Sequence, residues 1–142
     1  MNGKYFLDTN IFVYAFDSAN PKKQKRANEL IKNALENNSG CISFQVIQEF
    51  MNVATHKFEI PLSIPDCKKY LNAVLSHLCE VFVSIELYTR TLDVMERWRF
   101  SFYDSLIVAS ALQADCTILY SEDMQHLQKI EDLVINNPFK IL

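Results

Sequence analysis

Tyr5-Phe6-Leu7-Asp8-Thr9-Asn10-Ile11 is the stretch on which the fold turns. An apolar run ends on a carboxylate, and apolar residues resume at Ile11 and continue to Phe16. The pattern predicts a strand over 4–7 and a short helix from Thr9 to about Phe16, with Asp8 at the junction. Glu49, Asp104 and Asp123 fall at comparable places. Each lies at or just beyond a predicted strand end, or near the start of a predicted helix. In a parallel α/β sheet those places share one edge.

Working outward, strands and helices alternate. Asn20-Pro21 reads as a cap and first-turn proline, and Ala27, Leu30, Ile31, Ala34 and Leu35 then recur at helical spacing. Asn37-Asn38-Ser39-Gly40 stops that helix. Cys41-Ile42-Ser43 is expected as a second strand, with Ser43 capping a helix from about Phe44 to Lys57. Pro61 and Pro65 frame a loop, and a helix from Asp66 carries Leu71, Val74, Leu75 and Leu78 on one stripe. Val81-Phe82-Val83 is expected as a third strand. A helix over 86–99 follows, with Tyr88, Thr91, Leu92 and Met95 aligned. Ser105 to Ala114 is apolar or small nearly all round, the mark of a helix buried between layers. Thr117-Ile118-Leu119-Tyr120 is the fourth strand and Leu133-Val134-Ile135 a fifth. Such alternation predicts a mainly parallel sheet with helices on both faces.

The chain has 142 residues, 49% of them hydrophobic and 22% charged, which fits one globular domain over 1–142. A net charge of -3 excludes a globally basic nucleic-acid-binding protein but not a local basic patch. The longest apolar stretch, Ile11 to Phe16, is too short to span a membrane, and no signal peptide is indicated. Cys41, Cys67, Cys79 and Cys116 form no CxxC pair and no zinc-like spacing. They are expected as reduced core residues, which points to the cytoplasm.

On this frame Asp8 ends strand one, Glu49 lies in the second turn of the helix leaving strand two, and Asp123 follows strand four. Asp104 opens the helix that runs back before strand four, so it too begins at the carboxyl edge of the sheet. Singly, each acid has a structural explanation: Asp8 and Asp104 as helix-terminal acids, Glu49 as a solvated helix residue, Asp123 as a turn residue interchangeable with Glu122. Together they do not. Two carboxylates about 4 Å apart repel by roughly 4 kcal/mol at an effective dielectric near 20, several times what one cap contributes. Converging acids must take up protons or a cation. Oxygen ligands without His or Cys select Mg²⁺ or Mn²⁺, which supports metal-assisted phosphodiester hydrolysis.

Leu7-Asp8-Thr9-Asn10-Ile11, Gln48-Glu49-Phe50, Phe102-Tyr103-Asp104-Ser105-Leu106-Ile107-Val108-Ala109 and Leu119-Tyr120-Ser121-Glu122-Asp123-Met124 resemble the four motif blocks of PIN domains. Length and layout resemble the VapC-type toxins of bacterial type II toxin–antitoxin systems. The resemblance spans residues 4 to about 125. It implies an α/β/α fold and a Mg²⁺- or Mn²⁺-dependent endoribonuclease. It also implies Asp8 and Asp104 as principal metal ligands, Glu49 as a further acid and Asp123 as a fourth, often water-mediated one. Thr9 or Asn10, and Ser121, would hold the acids or their waters by hydrogen bonds. An antitoxin would block the site, and the toxin would form a homodimer.

Lys22, Lys23, Lys25 and Arg26, like Arg90, Arg97 and Arg99, are expected as solvated helix faces, with contact to RNA phosphate as the alternative. Trp98 is expected in the core or a dimer surface. His56, His77 and His126 have no ligand spacing and are assigned no chemistry. Two other function classes are a non-catalytic PIN-like module that binds RNA or protein, and a haloacid-dehalogenase-like phosphatase. Asp8-Thr9-Asn10 shares the first Asp of the phosphatase DxD motif but has Asn10 where those enzymes carry their general acid.

Overall fold

The computed structural model describes residues 3–141. Its elements are β1 (Tyr5–Leu7), α1 (Thr9–Tyr14), α2 (Pro21–Asn37), β2 (Gly40–Ser43), α3 (Phe44–His56), α4 (Ile64–Tyr70), α5 (Ser76–Leu78), β3 (Cys79–Val81), α6 (Ile85–Trp98), α7 (Phe102–Gln113), β4 (Ile118–Tyr120), β5 (Lys129–Ile130) and β6 (Leu133–Asn136). The strands form one sheet of order β3-β2-β1-β4-β6-β5. All pairings are parallel except that of β5 with β6. From β1 the chain moves outward to β2 and β3, then returns past β1 to β4. With right-handed crossovers, that reversal sends α1–α5 to one face of the sheet and α6–α7 to the other. The result is a three-layer α/β/α domain.

Burial explains the layers. Phe6, Leu7, Ile42 and Leu119 of the central strands are fully buried. Every residue of α7 from Ser105 to Leu112 is buried, as its all-round apolar sequence requires. In α2 the buried side chains are Ala27, Leu30, Ile31 and Ala34, the stripe expected from their spacing, with Leu35 half-buried. Asn38 ends α2 in the left-handed region at φ 52°.

Several local expectations shift. β3 pairs through Cys79–Val81, so Phe82 and Val83 lie past the strand and are 63% and 56% exposed. In α6 the buried stripe is Leu87, Thr91 and Val94, while Leu92 points outward. The helix from Ile64 passes through a π-helical turn over Leu71–Leu75, which leaves Leu71 and Val74 half-buried and Leu75 and Leu78 buried. The proline at position 21 does open α2, but the Asn20 amide donates to Asp17 Oδ2 at 2.7 Å rather than capping the helix. Ser43 precedes α3 in extended conformation, yet its hydroxyl makes no capping bond among the described residues. The short β5 has no sequence expectation to match; two residues are too few to show an alternation.

The four cysteines are free, with Cys41, Cys67 and Cys116 buried. Among the described residues no helix is long and apolar enough to cross a membrane. Gly40 opens β2 in a crevice where an added Cβ would stand 2.5 Å from the Ala34 Cβ and 2.7 Å from the Tyr5 ring. Gly40→Ala should therefore cost about 2 kcal/mol of stability, read as a lower urea midpoint, because a close-packed interior resists extra volume.

Candidate active site

β1 and β4 lie side by side although the chain first leaves β1 toward β2 and β3 and reaches β4 only after crossing back over β1. Such a switch point leaves a crevice beyond the strand ends, where open parallel sheets bind ligands. Asp8 stands in it. Its backbone N–H donates to the Tyr120 carbonyl at 3.0 Å, extending the β1–β4 ladder by one residue. Its carboxylate accepts from the Thr9 N–H (Oδ1, 2.7 Å) and from the Ser121 hydroxyl (Oδ2, 2.7 Å). Asp8 thus ends a strand and caps α1 at once. It is 6% exposed, and Ser121 is fully buried.

Two of the other expected acids, Glu49 and Asp123, are tied to α1 by side-chain bonds, whereas the Asp104 carboxylate makes no such bond among the described residues. Thr9 Oγ1 donates to Glu49 Oε1 at 2.6 Å, tying the start of α1 to the second turn of α3. Asn10 Nδ2 donates to Asp123 Oδ2 at 3.1 Å, tying α1 to the loop after β4. Glu122 turns away from this set. Its carboxylate receives the Tyr14 hydroxyl at 2.5 Å and the Lys23 ammonium at 2.6 Å. The two acids left interchangeable by sequence therefore occupy different networks, with Asp123 joined to the residues around Asp8.

Asp104 sits in the first turn of α7, whose N-cap is Ser101; the Ser101 hydroxyl accepts from the Asp104 N–H at 3.2 Å. The link from α7 to the other acids runs through Gln45. Its buried amide donates to the Tyr103 carbonyl at 3.2 Å and more weakly to Glu49 Oε2 at 3.4 Å. Nothing in the sequence reading named Gln45. The available signal was its spacing, one helical turn before Glu49.

Burial pushes the Asp8 carboxyl up to about 7, and the charges of Asp123 and Glu49 add to the rise against the opposing hydrogen bonds of Ser121 and Thr9. Asn10 Oδ1 in α1, Ser43 Oγ at the end of β2, Gln45 Oε1 in α3 and Ser105 Oγ in α7 are buried without a hydrogen-bond partner among the described residues. Buried oxygens normally find a donor, a water or an ion. Among the described residues, however, no three acidic, His or Cys side chains stand close enough to clamp an ion unaided. An all-oxygen set with one desolvated carboxylate fits Mg²⁺ or Mn²⁺, ions that take one or two carboxylates directly and the rest through retained water. It does not fit a closed site of four protein ligands.

A parallel α/β/α domain carrying acids at its switch point is the arrangement of a known nuclease class. The PIN domain family model matches residues 5–133, and the chain belongs to the PIN domain family. No curated protein matches it in sequence. Among solved structures, a toxin–antitoxin complex from Klebsiella pneumoniae contains a chain similar at TM-score 0.68 and 19% identity, covering 97% of this chain and 100% of that one. VapBC2 from Rickettsia felis, bound to a DNA fragment from its promoter, matches at TM-score 0.61 and 22% identity, over 93% and 96% of the two chains. VapC20 of Mycobacterium tuberculosis, a toxin that cleaves the sarcin–ricin loop, matches at TM-score 0.58 and 15% identity, over 83% and 88%. At these identities the likeness establishes a shared fold.

The Asp8 shift has a consequence for stability. Its folded pKa of about 7 lies above the ordinary 3.8, so the folded state holds a proton that the unfolded state releases. The cost of ionising Asp8 is absent below pH 4, grows as pH rises, and is fully present above pH 7. In metal-free buffer the protein should lose on the order of 4 kcal/mol of stability across that window through this group. Asp8→Asn should abolish that loss and leave the variant more stable than wild type at pH 8, as read by urea unfolding at a series of pH values.

Proposed function

We propose that this protein is a divalent-metal-dependent endoribonuclease, the toxin of a type II toxin–antitoxin pair. The observation that carries it is the buried Asp8 carboxylate, hydrogen-bonded to Ser121 and close enough to Glu49 and Asp123 that their charges raise its pKa, in a chain of the PIN domain family. Asp8 and Asp104 would hold Mg²⁺ or Mn²⁺ directly, Glu49 would add a further carboxylate, and Asp123 would act through a retained water. When bound, the ion supplies an activated water and offsets the charge that develops on the phosphate.

The protein's own groups do the positioning. Ser121 and the Thr9 N–H hold both oxygens of Asp8, which fixes the plane of its carboxylate. Thr9 orients Glu49 and Asn10 orients Asp123, so neither carboxylate must be oriented when RNA arrives. Gln45 holds the start of α7, and with it Asp104, against α3. A hydrolytic site of this kind would displace a leaving oxygen from RNA phosphorus by attack of water held at the acids.

Membership of the PIN domain family, matched over residues 5–133, disfavours the phosphatase alternative, which would need a different fold around Asp8. The non-catalytic alternative is disfavoured because every one of the four acids is present. An antitoxin partner is supported by the toxin–antitoxin complexes among the similar structures. Homodimerisation rests on the resemblance, and the exposed Phe82, Val83, Ile85 and Leu92 offer apolar surface for a protein contact. A cytoplasmic location is supported by the four free cysteines.

Induced expression of the wild type should arrest growth, and the purified protein should cut RNA only with Mg²⁺ or Mn²⁺ present. Asp8→Asn and Asp104→Asn should each lower the cleavage rate by about 10³-fold or more while remaining folded, since losing a direct ligand removes most of the stabilisation of developing charge. Asp123→Asn should lose less. Unchanged cleavage by the folded Asp8→Asn, Asp104→Asn double variant would refute the site. Independently of activity, saturating Mn²⁺ should raise the wild-type melting temperature and leave that of Asp8→Asn where it was.

A further inference from the structure

The acids that would hold the ion also repel RNA, and the chain as a whole is negative. Compensating charge must be local. On the far side of Glu122 from Asp123 the structure has a cavity of about 390 Å³ lined by Lys22, Lys23 and Lys140, with Pro21 and Phe139 as its apolar walls. Lys23 joins this cavity to the acid rim: its ammonium bonds Glu122 and the Tyr14 hydroxyl, and lies 4.6 Å from the Tyr14 ring centroid and 5.7 Å from that of Phe139. Lys22 and Lys140 are exposed and make no ion pair among the described residues. They differ in this from Arg26 and Lys32 of the same helix, which are answered by Glu29 and Glu36 one turn on.

We propose that the cavity bounded by Lys22, Lys23 and Lys140 binds a backbone phosphate of the RNA strand, one that flanks the bond cut at Asp8. The proposal rests on the ribonuclease function and gives its substrate a direction across the surface, from the acids past Glu122 to the start of α2. Lys22 and Lys140 supply the free charge. Lys23 is already partnered by Glu122, so it serves as a fixed wall between the anionic site and the cationic one. The cavity exceeds the size of a phosphate alone and has room for the attached sugar, with Phe139 below it. The contact is to backbone, so it adds affinity and register without sequence preference.

The test is binding of a short fluorescein-labelled single-stranded RNA to the full chain, by anisotropy without divalent metal, across a salt series. Lys22→Gln/Lys140→Gln should weaken binding on the order of tenfold at low salt and reduce the slope of log K against log salt by about 1.4, the value for two phosphate contacts on a single strand. The control Lys68→Gln/Lys69→Gln, on α4 away from this cavity, should match wild type in both. Unaltered slope and affinity in the first variant, with wild type binding RNA, would overturn the subsite and leave the ribonuclease function standing. Wild type that fails to bind RNA overturns the subsite too, and wild type that leaves RNA uncut with Mn²⁺ marks failure of the ribonuclease function itself. Unchanged RNA binding with weaker binding of polyglutamate would assign the cavity to an acidic protein segment and likewise overturn the proposal.

Discussion

The structure depends on keeping one carboxylate out of water. Asp8 leaves the end of β1 at the point where the strand order reverses, and there it is 6% exposed with a hydrogen bond to each oxygen. Neither donor removes the charge, and burial holds its pKa near 7. A fold that accepts such a cost usually recovers it in function, because strain and desolvation persist only where the surroundings over-determine them. The surroundings here do so. The Asp8 N–H is pinned to β4, and the carboxylate simultaneously closes the first turn of α1. The carboxylate cannot swing out to solvent without giving up its bonds from the Thr9 N–H and the Ser121 hydroxyl.

From that fixed point the rest of the site is assembled by short polar side chains rather than by the acids themselves. Thr9, Asn10 and Ser121 each hand one hydrogen bond to a different carboxylate. The three acids they hold come from the end of β1, the second turn of α3 and the loop after β4, segments with no local reason to meet. Gln45 adds the fourth segment by reaching from α3 to the carbonyl beside Asp104. The buried oxygens left without partners, on Asn10, Gln45, Ser43 and Ser105, lie on α1, α3, the end of β2 and α7. Under the proposed function, waters around a bound cation would satisfy what protein donors do not.

Electrostatics divides the rim into an anionic and a cationic half, and Glu122 is the boundary. It follows Ser121 and precedes Asp123, yet its charge is spent on Lys23 and Tyr14. The Asp123 carboxylate meets Asn10 beside the Asp8 centre, while that of its neighbour Glu122 meets Lys23 of α2. In sequence the two acids are interchangeable as turn residues, and only the resemblance to PIN motifs singles out Asp123. Only the packing of Tyr14 and Lys23 gives a reason for Glu122 to stand apart.

What the sequence determined by itself was the order of layers and the edge on which the acids lie. Apolar runs of three or four residues separated by helical periodicity specify a parallel α/β sheet, since period-2 and period-3.6 burial are local properties of the chain. The all-round apolar character of 105–114 likewise required a buried helix, and α7 is one. Strand ends and stripe faces were less legible. Phe82 and Val83 have the composition of a strand but extend past the last pairing of an edge, and Leu92 lost the buried face of α6 to Leu87 and Val94. Pairing partners and the neighbours that cover a face are set by distant segments, so no local window encodes them. The same holds for the site. Four acids on one rim could be read from strand ends, whereas the desolvation of Asp8, the separation of Glu122 from Asp123 and the reach of Gln45 across to α7 depend on contacts between residues 40 to 113 positions apart and were decided by the tertiary structure alone.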